Sequence, residues 1–371
     1  MAGVAGDGVP LPVPHREVIM RVERIELKNF RNYEALTLEP CEGVNVLVGD
    51  NAQGKTNALE AAYLTCAGRS HRTRQDRELI RWGAEFASVK VEAMRRDGSH
   101  EVEVILPANA RRIIKIAGQK ASRSGELMGH VTGVIFSPED LGLIKDGPAE
   151  RRRFMDIAIS QLKPSYYYAL QRYSRALKQR GEILRTQQYV ALDEFDAELA
   201  RAGAEIMRHR QWYIEKMNEV SREVHSHISL SREQLSVEYR PGIGEDMISA
   251  LRAARESDIR RMTTSVGVHR DDIAILIDGH EARLYGSQGQ QRTAALSLRL
   301  SELTVMKNES GEWPLLMLDD VMSELDPARR RQLVRYLTGV QTMITCTDPE
   351  DLAGAEIGAM FRVEKAGITR Q

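Results

Sequence analysis

The run Gly49-Asp50-Asn51-Ala52-Gln53-Gly54-Lys55-Thr56 fills the pattern G-x-x-x-x-G-K-[ST] and follows directly on an apolar stretch, Val44 to Val48. It predicts a strand, a glycine-hinged turn and a helix in that order. The glycines let the backbone curl until successive N–H groups point inward at phosphate oxygens, and the helix opening at Lys55 adds the positive end of its dipole. Lys55 is then placed to reach β- and γ-phosphates, and the Thr56 hydroxyl to sit on Mg²⁺. The pattern implies ATP with Mg²⁺ as the ligands, cradled by residues Gly49, Asp50, Asn51, Ala52, Gln53, Gly54, Lys55 and Thr56.

A second apolar run, Leu315-Leu316-Met317-Leu318, ends in Asp319-Asp320 and is followed by Ser323-Glu324-Leu325-Asp326. It reads as a buried strand with a carboxylate pair at its carboxyl end. In a nucleotide fold Asp319 would hold the metal through water, and Asp320 would orient and deprotonate the attacking water. A core strand that merely exits into an acidic loop would look similar, but the two partial motifs occur together and in the order an ATPase needs.

A third element, Gly286-Ser287-Gln288-Gly289-Gln290-Gln291-Arg292-Thr293, leads into a helical run, Ala294 to Leu303. A serine hydroxyl, glycine N–H groups and a helix start make a second anion site in the same chain. The arrangement resembles the signature motif of ABC-type ATPases. That resemblance implies that Ser287, Gly289 and Gln290 serve the γ-phosphate held by a partner's phosphate loop, so that ATP joins a head-to-tail, two-fold homodimer.

Further pieces narrow the resemblance. They are Leu27-Lys28-Asn29-Phe30-Arg31-Asn32-Tyr33, Gly54 to Ala61, Gly68-Arg69-Ser70-His71-Arg72-Thr73 and Phe136-Ser137-Pro138-Glu139-Asp140-Leu141. To these are added Lys145-Asp146-Gly147-Pro148, Arg151-Arg152-Arg153-Phe154-Met155-Asp156 and His269-Arg270-Asp271-Asp272. The chain after residue 19 is similar to the RecF family, ABC-type (SMC-like) ATPases of bacterial recombinational DNA repair. Val268 departs from the proline usual before His-Arg-Asp-Asp, and residues 1–19 have no counterpart. The resemblance implies an α/β P-loop NTPase of ABC-ATPase type with a mixed sheet. It also implies ATP-dependent binding to duplex and gapped DNA without sequence preference, and slow ATP hydrolysis that releases the DNA. Roles in replication, repair, recombination and the SOS response follow from it, as do RecR and RecO as mediator partners that help a recombinase replace single-strand-binding protein. It places Asn57 and Arg31 near the nucleotide, and it puts Pro138-Glu139-Asp140 where ABC ATPases usually carry a glutamine.

The 42% hydrophobic content of the 371 residues suffices for a large core and two lobes. No run approaches the ~20 apolar residues of a membrane span, and residues 1–19 have neither a secretion signal nor core-forming content. They read as a disordered extension, with Met20 a possible natural start. Three cysteines, Cys41, Cys66 and Cys346, form no C-x-x-C pair, which fits a reducing, cytoplasmic setting and excludes a zinc hook. His209, His225, His227 and His280 read as ordinary surface or arm residues rather than ligands.

The segment 149–261 is charged, glycine-poor and helix-patterned. Apolar residues recur in steps of three and four from Leu192 to Val224, and again from Tyr166 through Leu170, Tyr173 and Leu177 to Leu184. This predicts short helices folded against one another, with the tyrosines in the core. The expected organisation is an extension at 1–19, an ATPase head at 20–148, a helical arm-like lobe at 149–261, inserted between phosphate loop and signature, and the rest of the head at 262–371.

The net charge of −1 is uninformative, so distribution decides. Arg69, Arg72, Arg74, Arg77 and Arg81 crowd one segment, and Arg111, Arg112, Lys115, Lys120 and Arg123 another. Charge runs usually only face solvent. Given the family's DNA binding, Arg69, Arg72, Arg74, Arg111, Arg112 and Lys115 become the candidate contacts, made to phosphates rather than base edges. Arg151-Arg152-Arg153 spread around a helix and cannot all face one partner, so at least one is expected to anchor the arm's base inside the molecule. The alternative reading is the ATPase subunit of an ABC transporter. It is weakened by the last predicted strand, which ends Thr345-Cys346-Thr347-Asp348 without the expected histidine.

Overall fold

In the computed structural model, residues 20–229, 233–244 and 246–371 are described; the expected disorder of 1–19 lies outside them. The chain begins with β1 (Arg21–Phe30), β2 (Tyr33–Leu38), β3 (Val44–Val48) and helix α1 (Lys55–Ala67). It continues with β4 (Phe86–Arg95), β5 (Gly98–Pro107), β6 (Ile113–Ile116), β7 (Gln119–Lys120) and β8 (Gly133–Phe136). Helices α2 (Gly142–Lys145), α3 (Pro148–Leu162), α4 (Pro164–Thr186) and α5 (Leu192–Ser229) follow, then β9 (Leu235–Arg240) and α6 (Met247–Arg261). Next come β10 (Asp272–Ile277), β11 (His280–Glu281), α7 (Ala282–Tyr285) and α8 (Gln288–Ser310). The chain closes with β12 (Leu315–Asp319), α9 (Pro327–Tyr336), β13 (Thr342–Cys346), β14 (Ile357–Glu364) and β15 (Gly367–Arg370).

The central sheet has the order β15-β14-β3-β13-β12-β8, parallel except for the antiparallel β14–β15 edge, which makes it mixed as expected. Its inner strands read as unbroken apolar runs because both faces are covered. Side chains alternate between two cores. Leu47, Leu315, Met317 and Met343 pack with α1 and the antiparallel sheet β2-β1-β4-β5-β6-β7, while Val46, Leu316, Leu318 and Ile344 pack with α3, α4, α5 and α8. The strand period of two thus divides one sheet between two layers.

Tyr166, Tyr173 and Tyr213 are core residues, as their helical spacing predicts. The expectation of short arm helices is corrected, because α5 runs 38 residues without a break, about 57 Å at 1.5 Å per residue. Nothing in that stretch stops a helix. Its one glycine, Gly203, accommodates Met247 of α6, whose sulfur would lie 2.4 Å from a Cβ there. The helical segment also shares its core with the central sheet, and its strand β9 pairs with β10 beyond residue 261. His225, on α5, is fully buried within the helical segment. No helix among the described residues is long and apolar enough to cross a membrane.

Candidate nucleotide site and basic surface

The loop Gly49–Gly54 leaves the carboxyl end of β3, with β13 and then β12 beside it, the place where open parallel sheets bind ligands. Gly54 caps α1 at φ 118°, a left-handed conformation that a side chain resists. A Cβ there would also meet the Asn32 amide at 2.7 Å and the Tyr33 hydroxyl at 2.9 Å. The loop is held from outside. Tyr33 donates to Gly54 O (3.0 Å), Asn32 Nδ2 to Gln53 O (3.1 Å), and the Lys365 backbone N–H to Gln53 Oε1 (2.7 Å). Asn57 donates to Asn32 Oδ1 (2.8 Å) and so belongs to the same brace. Asp50, Asn51 and Ala52 form the exposed crest, with Ala52 at φ 64°.

Lys55 folds back into the loop, its Nζ donating to Gly49 O and, at 2.8 Å, to Asp50 O. Burial pushes its ammonium below the ordinary range, while Asp320, Asp319 and Asp50 oppose that shift. Asp319, at the end of β12, is 5% exposed and accepts hydrogen bonds from Thr56 (2.8 Å) and Thr345 (2.7 Å). Burial pushes its carboxyl above the usual range, and the two hydroxyls only partly offset this. Asp320 turns outward with φ 51°, exposed, its N–H on Thr345 Oγ1 (2.9 Å) and its side chain near the Ser323 hydroxyl (3.3 Å). The strand end therefore separates the two carboxylates, one buried against Thr56 and one exposed beside Ser323.

Arg31 makes a bidentate pair with Glu60, both contacts 2.8 Å, and donates to Glu78 O (2.9 Å). Glu60 is a fully buried acid inside α1, which sequence reasoning missed. Burial raises its carboxyl, but the bonds from Arg31 and Ser70 outweigh that and hold it low. Arg31 thus links the loop after β1 to α1. His71, Arg72, Glu139 and Arg153 line, with Arg31, an adjoining cavity of about 530 Å³. Burial lowers the proton affinity of His71 against the pull of Glu60 and Asp319. Asp140 ties the Pro138–Leu141 turn to α8 through Arg299 (2.5 Å).

Ser287 caps α8 with a reciprocal box: its hydroxyl accepts from Gln290 N (3.3 Å), and its own N–H donates to Gln290 Oε1 (2.8 Å). Gln290 also donates to Glu233 (2.9 Å). Ser287 is exposed and Gly289 half-buried, with Leu284 and Tyr285 standing free just before them, 65% and 74% exposed.

The predicted basic contacts divide. Arg69 and Arg74 are exposed, the latter 3.5 Å from Glu150, and Arg72 is exposed while bonded to Asn57 (3.1 Å) and 3.6 Å from buried Glu60. Arg111 is exposed. Arg112 and Lys115 are half-buried, and each is paired within the molecule. Arg112 grips Asp76 in a bidentate pair, with Nε at 2.9 Å, and also bonds Gly68 O, while Lys115 lies 2.9 Å from Glu103, its cross-strand neighbour in the β5–β6 register. All three arginines at the start of α3 are also internal. Arg151 pairs with Asp272 (2.7 Å), Arg152 donates to Asp271 O (2.6 Å), and Arg153 bonds Ser70 O and His71 O, each at 3.0 Å.

The family model described as RecF/RecN/SMC N terminal domain matches residues 21–369. "DNA replication and repair protein RecF" of Acetivibrio thermocellus is 40% identical over 368 residues, covering 94% of this chain and 100% of that protein. The protein of the same name from Clostridium perfringens is 40% identical over 354 residues, covering 93% of this chain and 98% of its own. Among solved structures, the recombination mediator protein RecF-ATP in the RecFOR pathway superposes with a TM-score of 0.88 at 37% identity, over 95% of this chain and 100% of that one. The Smc head domain of Pyrococcus furiosus, bound to the C-terminal domain of ScpA, shares the fold with a TM-score of 0.57 at 15% identity, over 95% of this chain and 96% of that one. The transport-ATPase alternative finds no support in these matches. A phosphate loop braced by Asn32 and Tyr33, an acidic strand split between Asp319 and Asp320, and relatives matched from end to end agree: the chain belongs to the RecF family of ABC-type ATPases.

Proposed function

We propose that this chain is an ATP-gated DNA clamp of recombinational repair, a slow ATPase that closes head to tail on two ATP molecules, holds duplex or gapped DNA and opens after hydrolysis. One observation carries the reading. The signature helix start is exposed at Ser287 and, among the described residues, is bonded within its own turn, to Glu233 and, through Gln291, to the Ala282 and Arg283 carbonyls, which supports its use as an anion site for the γ-phosphate of a second copy.

The residues fit the nucleotide and its metal. Asp319 is a buried carboxylate held only by hydroxyls and pushed up in proton affinity, an environment that a divalent cation beside Thr56 would complete. Mg²⁺, bound there with ATP, supplies neutralisation of the charge that develops on the phosphates. Lys55 exchanges its loop carbonyls for phosphate oxygens, Asp320 accepts the proton of the attacking water from its exposed position, and Thr345 keeps the two carboxylates apart. Arg31, fastened to Glu60, positions the loop rather than ligating phosphate through a free guanidinium.

DNA is held by the exposed arginines Arg69, Arg72 and Arg74, with Arg111 at the edge of the surface, through phosphates and hence without sequence preference. RecO and RecR, acting in the cytoplasm with a recombinase, are the partners to which the relatives' RecFOR pathway points. Sedimentation of the protein with Mg-ATP, Mg-ADP or no nucleotide, each with and without duplex DNA, tests the reading. A dimer that forms and retains DNA only with Mg-ATP is expected, and Ser287→Arg should stay monomeric while still binding ATP. Dimerisation indifferent to nucleotide would contradict it.

A further inference from the structure

Trp82 is 97% exposed, yet it does not sit on a loose loop. Arg81, Trp82, Gly83 and Ala84 form a tight turn closed by Ala84 N–H on Arg81 O (3.0 Å), with Gly83 at φ 82° in the third position, where type II geometry calls for glycine. The turn is fastened to the end of β1 by Arg81 N–H on Asn29 O (2.8 Å) and Arg31 N–H on Leu79 O (2.7 Å), and by an isolated bridge between Phe30 and Ile80. Arg81 also pairs with Glu34 (3.1 Å). The backbone that carries the indole is thus fixed before a partner arrives, which lowers the cost of ordering the contact.

The setting names the partner's chemistry. Trp82 ends the segment that begins at Arg69 and holds five arginines against Asp76 and Glu78, and both acids are already engaged, by Arg112 and by Thr73. A flat apolar ring at the end of a cationic segment suits an anionic polymer with flat apolar faces. Trp82 stands immediately after Arg81, the last arginine of that segment.

We infer that Trp82 is the residue through which the clamp engages the single-stranded part of gapped DNA, by stacking its indole on an unpaired nucleobase. The inference rests on the DNA-clamp reading above and adds a specificity to it. Inside a continuous duplex every base face is already covered by its neighbours, and only a gap edge, flap or terminus offers one. The arginines hold phosphates of either form, and Trp82 discriminates between them.

The test uses the full chain with Mg-ATP and two labelled DNAs of equal duplex length, one with a single-stranded tail and one closed at both ends by non-nucleotide linker caps, which leave no base unpaired. Trp82→Ala should bind the tailed DNA about tenfold more weakly and the capped duplex unchanged, with Trp82→Phe recovering most of the difference. In a Trp212→Phe/Trp313→Phe background, Trp82 emission should be quenched by the tailed DNA and not by the capped duplex. Equal affinities of Trp82→Ala and the unsubstituted protein for both DNAs, with unquenched emission, would overturn the inference while leaving the clamp intact. Equal weakening on both DNAs would also overturn it, making Trp82 a general contact, and a loss of ATP-dependent dimer alone would assign Trp82 to a protein interface. Failure of the unsubstituted protein to bind the capped duplex would overturn the clamp reading itself.

Discussion

Two arginine-rich segments look alike in the chain and are used in opposite ways. At the start of α3, Arg151, Arg152 and Arg153 each end on a carboxylate or carbonyl of the same molecule, and Arg210 on α5, 2% exposed, extends that lattice to Asp156 and Asp271. Between Arg69 and Trp82 the backbone is pinned and the pairing is looser: Arg72 lies 3.6 Å from Glu60, Arg74 3.5 Å from Glu150 and Arg81 3.1 Å from Glu34, yet each of these side chains stays more than a third exposed. The segments meet where Arg153 grips the carbonyls of Ser70 and His71, so the internal lattice supports the displayed surface. Density of positive charge says nothing about partners; the acids opposite decide. Asp271 and Asp272, from the His-Arg-Asp-Asp motif, are those acids for α3 and α5, which makes that motif architectural.

The largest effect should come from breaking the internal set. Arg210→Ala leaves Asp271 buried without its cation and should lower unfolding stability by about 3–5 kcal/mol, read by chemical denaturation. A loss below about 1 kcal/mol would mean that the lattice is not a structural element. Next, replacing Arg69, Arg72 and Arg74 together by glutamate should cost less stability than Arg210→Ala, the main cost coming from a new carboxylate at position 72 beside buried Glu60. It should weaken binding to all duplex sequences by about a hundredfold and reduce the slope of log K against log salt by about one unit per lost contact. If Arg151→Ala, in conditions where it remains folded, flattened that slope equally, the division between displayed and internal arginines would fail.

These tests bear on what was readable in the chain. The phosphate loop, the acidic strand and the signature were legible because their chemistry is local: each needs a fixed residue order at one strand or helix end, and the structure sets Thr56 against Asp319. Pairings across the fold were not. Lys115 reads as a free cation until the β5–β6 register sets Glu103 opposite it, and Arg112 until the loop after α1 brings Asp76 within reach. The burial of His225 follows from α5 continuing past the point where short helices were expected, onto α8. Trp82 carried its signal openly, an aromatic directly after an arginine and before a glycine in a turn.

A smaller effect concerns the junction of the two segments. Burial lowers the proton affinity of His71, so the folded state favours the neutral ring. The sign follows: its contribution is fully present above the unfolded value of about 6.5 and is lost as pH falls below it, because the unfolded chain takes up the proton first. His71→Gln should therefore remove part of the decline in stability between about pH 7 and about pH 5. A parallel decline in both proteins would show that this histidine is not held neutral. Smallest of all, Lys115→Ala should leave DNA affinity and its salt dependence unchanged, because Glu103 already occupies that ammonium; a reduced slope would return Lys115 to the DNA face.

The clamp itself stands on the division of labour between Asp319 and Asp320. Asp320→Asn keeps an isosteric side chain and leaves Asp319 with its two hydroxyl partners, while removing the group that accepts the water's proton. The decisive measurement is the rate at which ATP-assembled dimer releases DNA after a chase with excess ADP. The predicted result is a complex that forms normally and then persists far longer than that of the unsubstituted protein. Release at the unsubstituted rate would show that hydrolysis does not open the clamp, and would contradict the account at its centre.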